Sequence, residues 1–89
     1  MPRKHILYSG RVQGVGFRYH ATVLARMFGC SGWVRNLDDG DVEMEIQGSR
    51  ASIEVFLDKI NQNDGYIRID SMQVHDIPEE VDHGFFEHY

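Results

Sequence analysis

Between Asp41 and Gln47 the chain alternates strictly: Val42, Met44 and Ile46 are apolar, while Asp41, Glu43 and Glu45 are acidic. A period of two sends the two sets to opposite faces of a β-strand, so the segment predicts a strand with one buried and one wet face. Ahead of it, Ser31 to Asn36 carries Trp33 and Val34 in a second strand-like run, and Asp38-Asp39-Gly40 supplies turn chemistry that joins the two as a hairpin. Elsewhere the period changes. Phe17, Ala21, Leu24 and Phe28 follow the i, i+4, i+7, i+11 spacing of one helical stripe, with Gly29 as its stop. Ser49 reads as the N-cap of a second helix whose Ile53, Phe56, Leu57 and Ile60 share a face, ended by the cluster Asn61-Gln62-Asn63-Asp64-Gly65.

Three further strands complete the pattern. Ile6 to Ser9 predicts a short first strand that feeds a glycine-bearing segment. A later one runs from about Ile67 to Asp76, with Met72 and Val74 on one face and Pro78 closing it, and Phe85 to Tyr89 forms the last after Gly84. The order is βαββαβ with a short closing strand. It predicts an α+β fold of the ferredoxin-like, split βαβ sandwich type: an antiparallel sheet with two amphipathic helices on one face. No internal repeat, low-complexity stretch or interdomain linker interrupts it.

Composition narrows the function classes. At 89 residues the chain fits one domain with one hydrophobic core, and 42% apolar with 26% charged residues is ordinary for a soluble globular protein. No apolar run approaches the ~20 residues of a bilayer helix. The start, Met1 to Tyr8, has basic residues, but its apolar stretch is far shorter than a signal-peptide core, so a cytoplasmic location is expected. Cys30 is the single cysteine; it permits no internal disulfide, has no partner for a structural zinc, and reads as a small buried or half-buried side chain. The five histidines, His5, His20, His75, His83 and His88, lack the H-x-x-x-H type of ligand spacing, so no metal centre is expected. Asp38, Asp39 and Asp41 lack the alternating oxygens and distal glutamate of a calcium loop and read as a solvated turn. A formal charge of -5 repels polyanions, which excludes nucleic acid as the natural partner and requires that any anionic substrate meet a local positive pocket.

One segment offers such a pocket. Gly10-Arg11-Val12-Gln13-Gly14-Val15-Gly16 lies between a strand and a helix N-terminus, where several backbone N–H groups converge and the helix dipole adds partial positive charge. Glycine at 14 and 16 permits positive φ and close approach to a ligand. Glycines alone would indicate only a tight turn. Arg18 in the first helical turn changes the reading, because its permanently charged fork suits phosphate oxygens held by the loop amides. No Gly-Lys-Ser or Gly-Lys-Thr ending and no third glycine follow, so ATP and NAD are not expected ligands. Asn36 by itself reads as a turn residue, Arg11 and Arg35 as surface charges, Trp33 as core or sheet-face packing, and His20 as an exposed first-turn polar residue.

Gly10-Arg11-Val12-Gln13-Gly14-Val15-Gly16-Phe17-Arg18, followed by Gly32-Trp33-Val34-Arg35-Asn36, resembles the paired signature of acylphosphatases. Asp39-Gly40-Asp41-Val42-Glu43, Gly48, the second helix and Gly84-Phe85 extend the similarity over nearly the whole chain, 1–89, as one acylphosphatase-like domain. Asn63-Asp64-Gly65-Tyr66 departs from the family's frequent Gly-Pro turn without touching a site position. The resemblance implies that the backbone of Gln13, Gly14, Val15, Gly16, Phe17 and Arg18 holds the substrate phosphate, that Arg18 binds its oxygens and that Asn36 positions the attacking water. It implies hydrolysis of acyl phosphates or carbamoyl phosphate to carboxylate and inorganic phosphate, with no metal or cofactor. Inorganic phosphate or sulfate should compete as anions, and the protein should act as a monomer. Two other classes carry the same fold: a non-catalytic phosphate or acyl-phosphate binding module, and an RNA-binding domain. The acidic strand Asp41, Glu43, Glu45 disfavours the latter, which needs a basic sheet with stacking aromatics.

Overall fold

In a computed structural model that describes residues 1–62 and 65–89, the chain runs β1 (Arg3–Arg11), α1 (Phe17–Met27), β2 (Ser31–Asn36), β3 (Val42–Gln47), α2 (Arg50–Ile60), β4 (Arg68–Ile77) and β5 (Phe85–His88). Asn63 and Asp64 of the helix-ending cluster lie outside the described residues. The sheet order is β4-β1-β3-β2-β5. β1 pairs antiparallel with β3 and β4, and β2 pairs antiparallel with β3, as the split βαβ reading predicts. The closing strand differs: β5 lies parallel to β2, with Gly32 opposite Phe85 and Val34 opposite Glu87, so the complete sheet is mixed. A parallel partner is natural here because β5 returns along the open edge of β2 instead of turning back on its neighbour in sequence.

The alternation at 41–47 works as read. Val42, Met44 and Ile46 are fully buried beneath the helices, beside Ile6 and Tyr8 of β1, Val34 of β2 and Phe85 of β5. From the helices come Phe17, Ala21, Leu24 and Ala25 of α1 and Ile53, Phe56 and Ile60 of α2, which fill the same continuous cluster. Ser49 caps α2 by accepting from the Ser52 N–H at 3.1 Å. Tyr8 meets Phe17 edge to face at 5.0 Å between ring centroids, which seats the N-terminus of α1 directly on β1. Cys30 is buried, and burial pushes its thiol up, so it is held as a neutral packing group.

The opposite face of the sheet is not bare. β1 reaches three residues further toward the N-terminus than its apolar residues predict, because Arg3 is buried on the open face under the segment that leads into β5. Its guanidinium lies 2.9 Å from Glu45 and 3.0 Å from Glu80, and it also binds Asp82. Gln47 completes the clasp, donating to the Glu80 carbonyl at 2.8 Å and accepting from the Glu80 N–H at 2.9 Å. Arg3 thus ties the approach to β5 onto the sheet. Arg3→Ala is expected to destabilise the protein by about 3 kcal/mol, the low end for breaking a buried pair, because Glu80 and Asp82 can regain water. Urea unfolding checks this; an unchanged midpoint would show that the clasp contributes nothing.

Candidate active site

Four pieces of backbone meet at the end of the sheet where β1 gives way to α1. The loop after β1 is anchored at Val12, which is buried, and at Gln13, whose Nε2 donates to the carbonyls of Leu37 and Asp41 at 2.7 Å each. These two hydrogen bonds fasten the loop to the β2–β3 turn and so fix it relative to Asn36, the last residue of β2. Gly14 and Gly16 have φ of 73° and 81°, the left-handed conformation that makes glycine the natural occupant of both positions. A Cβ added at either would meet nothing within 4 Å, so their value lies in the backbone conformation and in the open space it leaves.

Gly16 is the N-cap of α1, and no side chain caps this helix. The first intrahelical bond runs from the His20 N–H to the Gly16 carbonyl, at 3.0 Å, so the N–H groups of Phe17, Arg18 and Tyr19 have no acceptor within the helix. No acidic residue stands in the first turn. The arrangement is a positive helix end without a resident anion, in a protein whose formal charge is -5.

Gly14, Gly16, Phe17, Arg18 and Asn36 line one cleft of about 130 Å³. The structure therefore brings the glycine loop, the arginine and the asparagine together, although 18 residues separate the last two in sequence. Gln13 and Val15 stand outside its lining: Gln13 turns to the hairpin, and Val15 packs against the core. The Arg18 guanidinium donates to the His88 carbonyl at 3.0 Å and lies 4.4 Å from the centre of the Tyr89 ring. The Asn36 Oδ1 is buried and has no hydrogen-bond partner among the described residues. An isolated buried acceptor is costly unless something bonds it, and a water in the cleft would do so.

Sequence reasoning missed three walls of the cleft, Val12, Tyr19 and Glu87. Glu87 could be placed only by knowing that β5 lies beside β2 and in which register. Trp33 lies on the open sheet face, half-buried and stacked on His88 at 5.5 Å, and His20 is half-buried rather than exposed. A larger cavity of about 360 Å³ lies against α2, with Lys4, Arg50 and Ile53 in its wall. Its Lys4 ammonium is already paired with Asp76, and α2 is already capped by Ser49, so the smaller cleft holds the better anion chemistry. Among the described residues no three His, Cys, Asp or Glu side chains gather as a metal site, and no helix is long and apolar enough to cross a membrane.

Comparison with known proteins identifies the family. The acylphosphatase family model matches residues 4–87. An acylphosphatase of Bifidobacterium longum is 43% identical over 76 residues, covering 85% of this chain and 78% of that protein. One from Clostridium perfringens is 44% identical over 77 residues, 86% of each chain. The crystal structure of acylphosphatase from Bacillus subtilis superposes with a TM-score of 0.95 at 32% identity over 100% of both chains. The chain is also similar, at 26% identity and a TM-score of 0.87, to 12% of a full-length HypF in its phosphate- and nucleotide-bound form. Family match, relatives covered over more than three quarters of their length and fold all coincide: the chain belongs to the acylphosphatase family, the hydrolases of acyl phosphates.

Proposed function

We propose that the cleft hydrolyses acyl phosphates by placing phosphorus between the α1 N-terminus and a water held at Asn36. The loop amides from Gln13 to Arg18 and the Arg18 fork take the non-bridging oxygens. The water bound to the Asn36 amide attacks phosphorus in line. Its O–P bond forms as the bond from phosphorus to the acyl oxygen breaks, the carboxylate departs with that bonding pair, and a phosphate oxygen accepts the water proton. A carboxylate is a good leaving group and needs little proton assistance, so positioning and charge stabilisation carry the acceleration.

The observation that carries this reading is the convergence of uncapped helix amides, Arg18 and an unpartnered buried Asn36 oxygen in one cleft. The cleft is small, which suits a phosphoryl group with its acyl part projecting outward, and carbamoyl phosphate falls in the same substrate class. Inorganic phosphate and sulfate are the competing anions the cradle would accept. A single cytoplasmic, monomeric domain is the setting we assign: one continuous core supports one domain, the lone buried thiol fits a reducing compartment, and the net charge disfavours self-association.

The test uses acetyl phosphate as substrate, p-nitrophenyl phosphate as a monoester control, and a strong chelator in one arm. Rapid release of phosphate from the acyl phosphate alone, unchanged by chelation, is the expected result, since the positive charge that meets the phosphate comes from the backbone and Arg18. Activity lost on chelation and restored by a divalent ion would overturn the metal-free mechanism. The second reading, a non-catalytic phosphate-binding module, is prompted by the similarity to a small part of HypF. It predicts phosphate binding without turnover, and the same assay separates the two.

A further inference from the structure

Phosphate cradles are built from donors, yet a carboxylate stands in the wall of this one. Glu87 of β5 sits opposite Val34 of β2. Alternation along the two strands sends Glu87, Val34 and Asn36 to the helix-covered face, where Glu87 lines the cleft with Arg18, Tyr19 and Asn36. It is half-buried, and its side chain has no hydrogen bond or ion pair among the described residues. Arg18, the cation of the cleft, is engaged elsewhere, by the His88 carbonyl and the Tyr89 ring. Glu87 is thus an unneutralised acceptor beside a site designed for anions.

The two occupants oppose each other. A carboxylate only accepts hydrogen bonds and repels phosphate oxygens, whereas the isosteric amide of a glutamine can donate to them. Building on the phosphate reading of the cleft, we infer that Glu87 is a specificity-determining brake: its carboxylate stands in the wall of the anion site and weakens the hold on every phosphate-class anion that enters. Because substrate and product phosphate meet the same charge, Glu87 raises KM and the phosphate inhibition constant together while the chemical step is spared.

The cations near β5 must be separated from Glu87. α1 contributes Arg18 and Arg26, whose Nε donates to the Phe85 carbonyl at 3.0 Å. β2 contributes Arg35, opposite His88 on the open face. None of them changes between wild type and Glu87→Gln, so the difference between those two proteins assigns the effect to the carboxylate.

Sulfate is the probe, because it stays doubly charged and adds no titration of its own. Its inhibition constant against acetyl phosphate is measured at one neutral pH for wild type, Glu87→Gln, Glu87→Ala and Arg18→Ala, with circular dichroism confirming folding. Both Glu87 variants are expected to bind sulfate about tenfold tighter than wild type and to lower KM with kcat little changed. Equal affinities for wild type and Glu87→Gln, or weaker binding in both variants, would overturn the brake. If Arg18→Ala also leaves sulfate binding untouched, the phosphate reading of the cleft fails with it. If Arg18→Ala loses sulfate while Glu87→Gln matches wild type, only the role of Glu87 falls.

Discussion

Arg18→Ala is expected to lower turnover by on the order of 1000-fold or more, the scale on which a single arginine acts on a transferring phosphoryl group, and to weaken inhibition by inorganic phosphate as well. In the proposed mechanism the arginine touches the phosphate before, during and after reaction, so both ground-state and transition-state binding depend on it. Its side chain is half-buried at the rim, tied only to the His88 carbonyl and the Tyr89 ring, so the fold should survive the change. Arg18→Lys keeps the charge but loses the planar fork, and it should recover little of the lost activity. Kinetics with acetyl phosphate and the phosphate inhibition constant, measured on the same folded variant, check this. A variant with near wild-type turnover would remove Arg18 from the machinery.

Asn36→Ala is expected to behave differently: turnover falls by on the order of 100-fold, as when one preorganised polar group is removed, while the phosphate inhibition constant stays where it was. The structure supports a role beyond the hairpin turn. That turn is closed by other groups: the Asp39 carboxylate accepts from the Asp41 N–H at 2.9 Å, and Gln13 clasps the carbonyls of Leu37 and Asp41. The Asn36 Oδ1 bonds to none of them. Removing an unpartnered buried acceptor should also cost little stability, which separates a catalytic loss from an unfolding one. Near wild-type turnover in Asn36→Ala would return the residue to the turn.

Much of the fold was legible because local pattern and tertiary environment agree. The 41–47 alternation and the helical stripe of Phe17, Ala21 and Leu24 each bury one face against the same core, so period alone located β3 and α1. The site was partly legible for a related reason: the glycines that shape the loop and the arginine that faces it are contiguous, and Asn36 ends a strand that could be read. What stayed hidden depends on pairing at a distance. Arg3 looks like a solvated N-terminal charge until the acids at 80 and 82 fold over it. The direction of β5 and its register against β2 place Glu87 in the cleft, and nothing local encodes either. Gln13 read as a contributor of backbone, whereas its side chain also sets the distance between loop and Asn36.

In the proposed mechanism the phosphate sits on the amides at the start of α1. Titration of ¹⁵N-labelled protein with inorganic phosphate, followed by amide chemical shifts, tests it most directly. The amides of Gly14, Gly16, Phe17, Arg18 and Tyr19 are expected to move together in a saturable way, with the Asn36 side-chain amide responding and the residues around Lys4 and Arg50 silent. Shifts concentrated at Lys4, Arg50 and the start of α2, with the 14–19 amides unmoved, would contradict it.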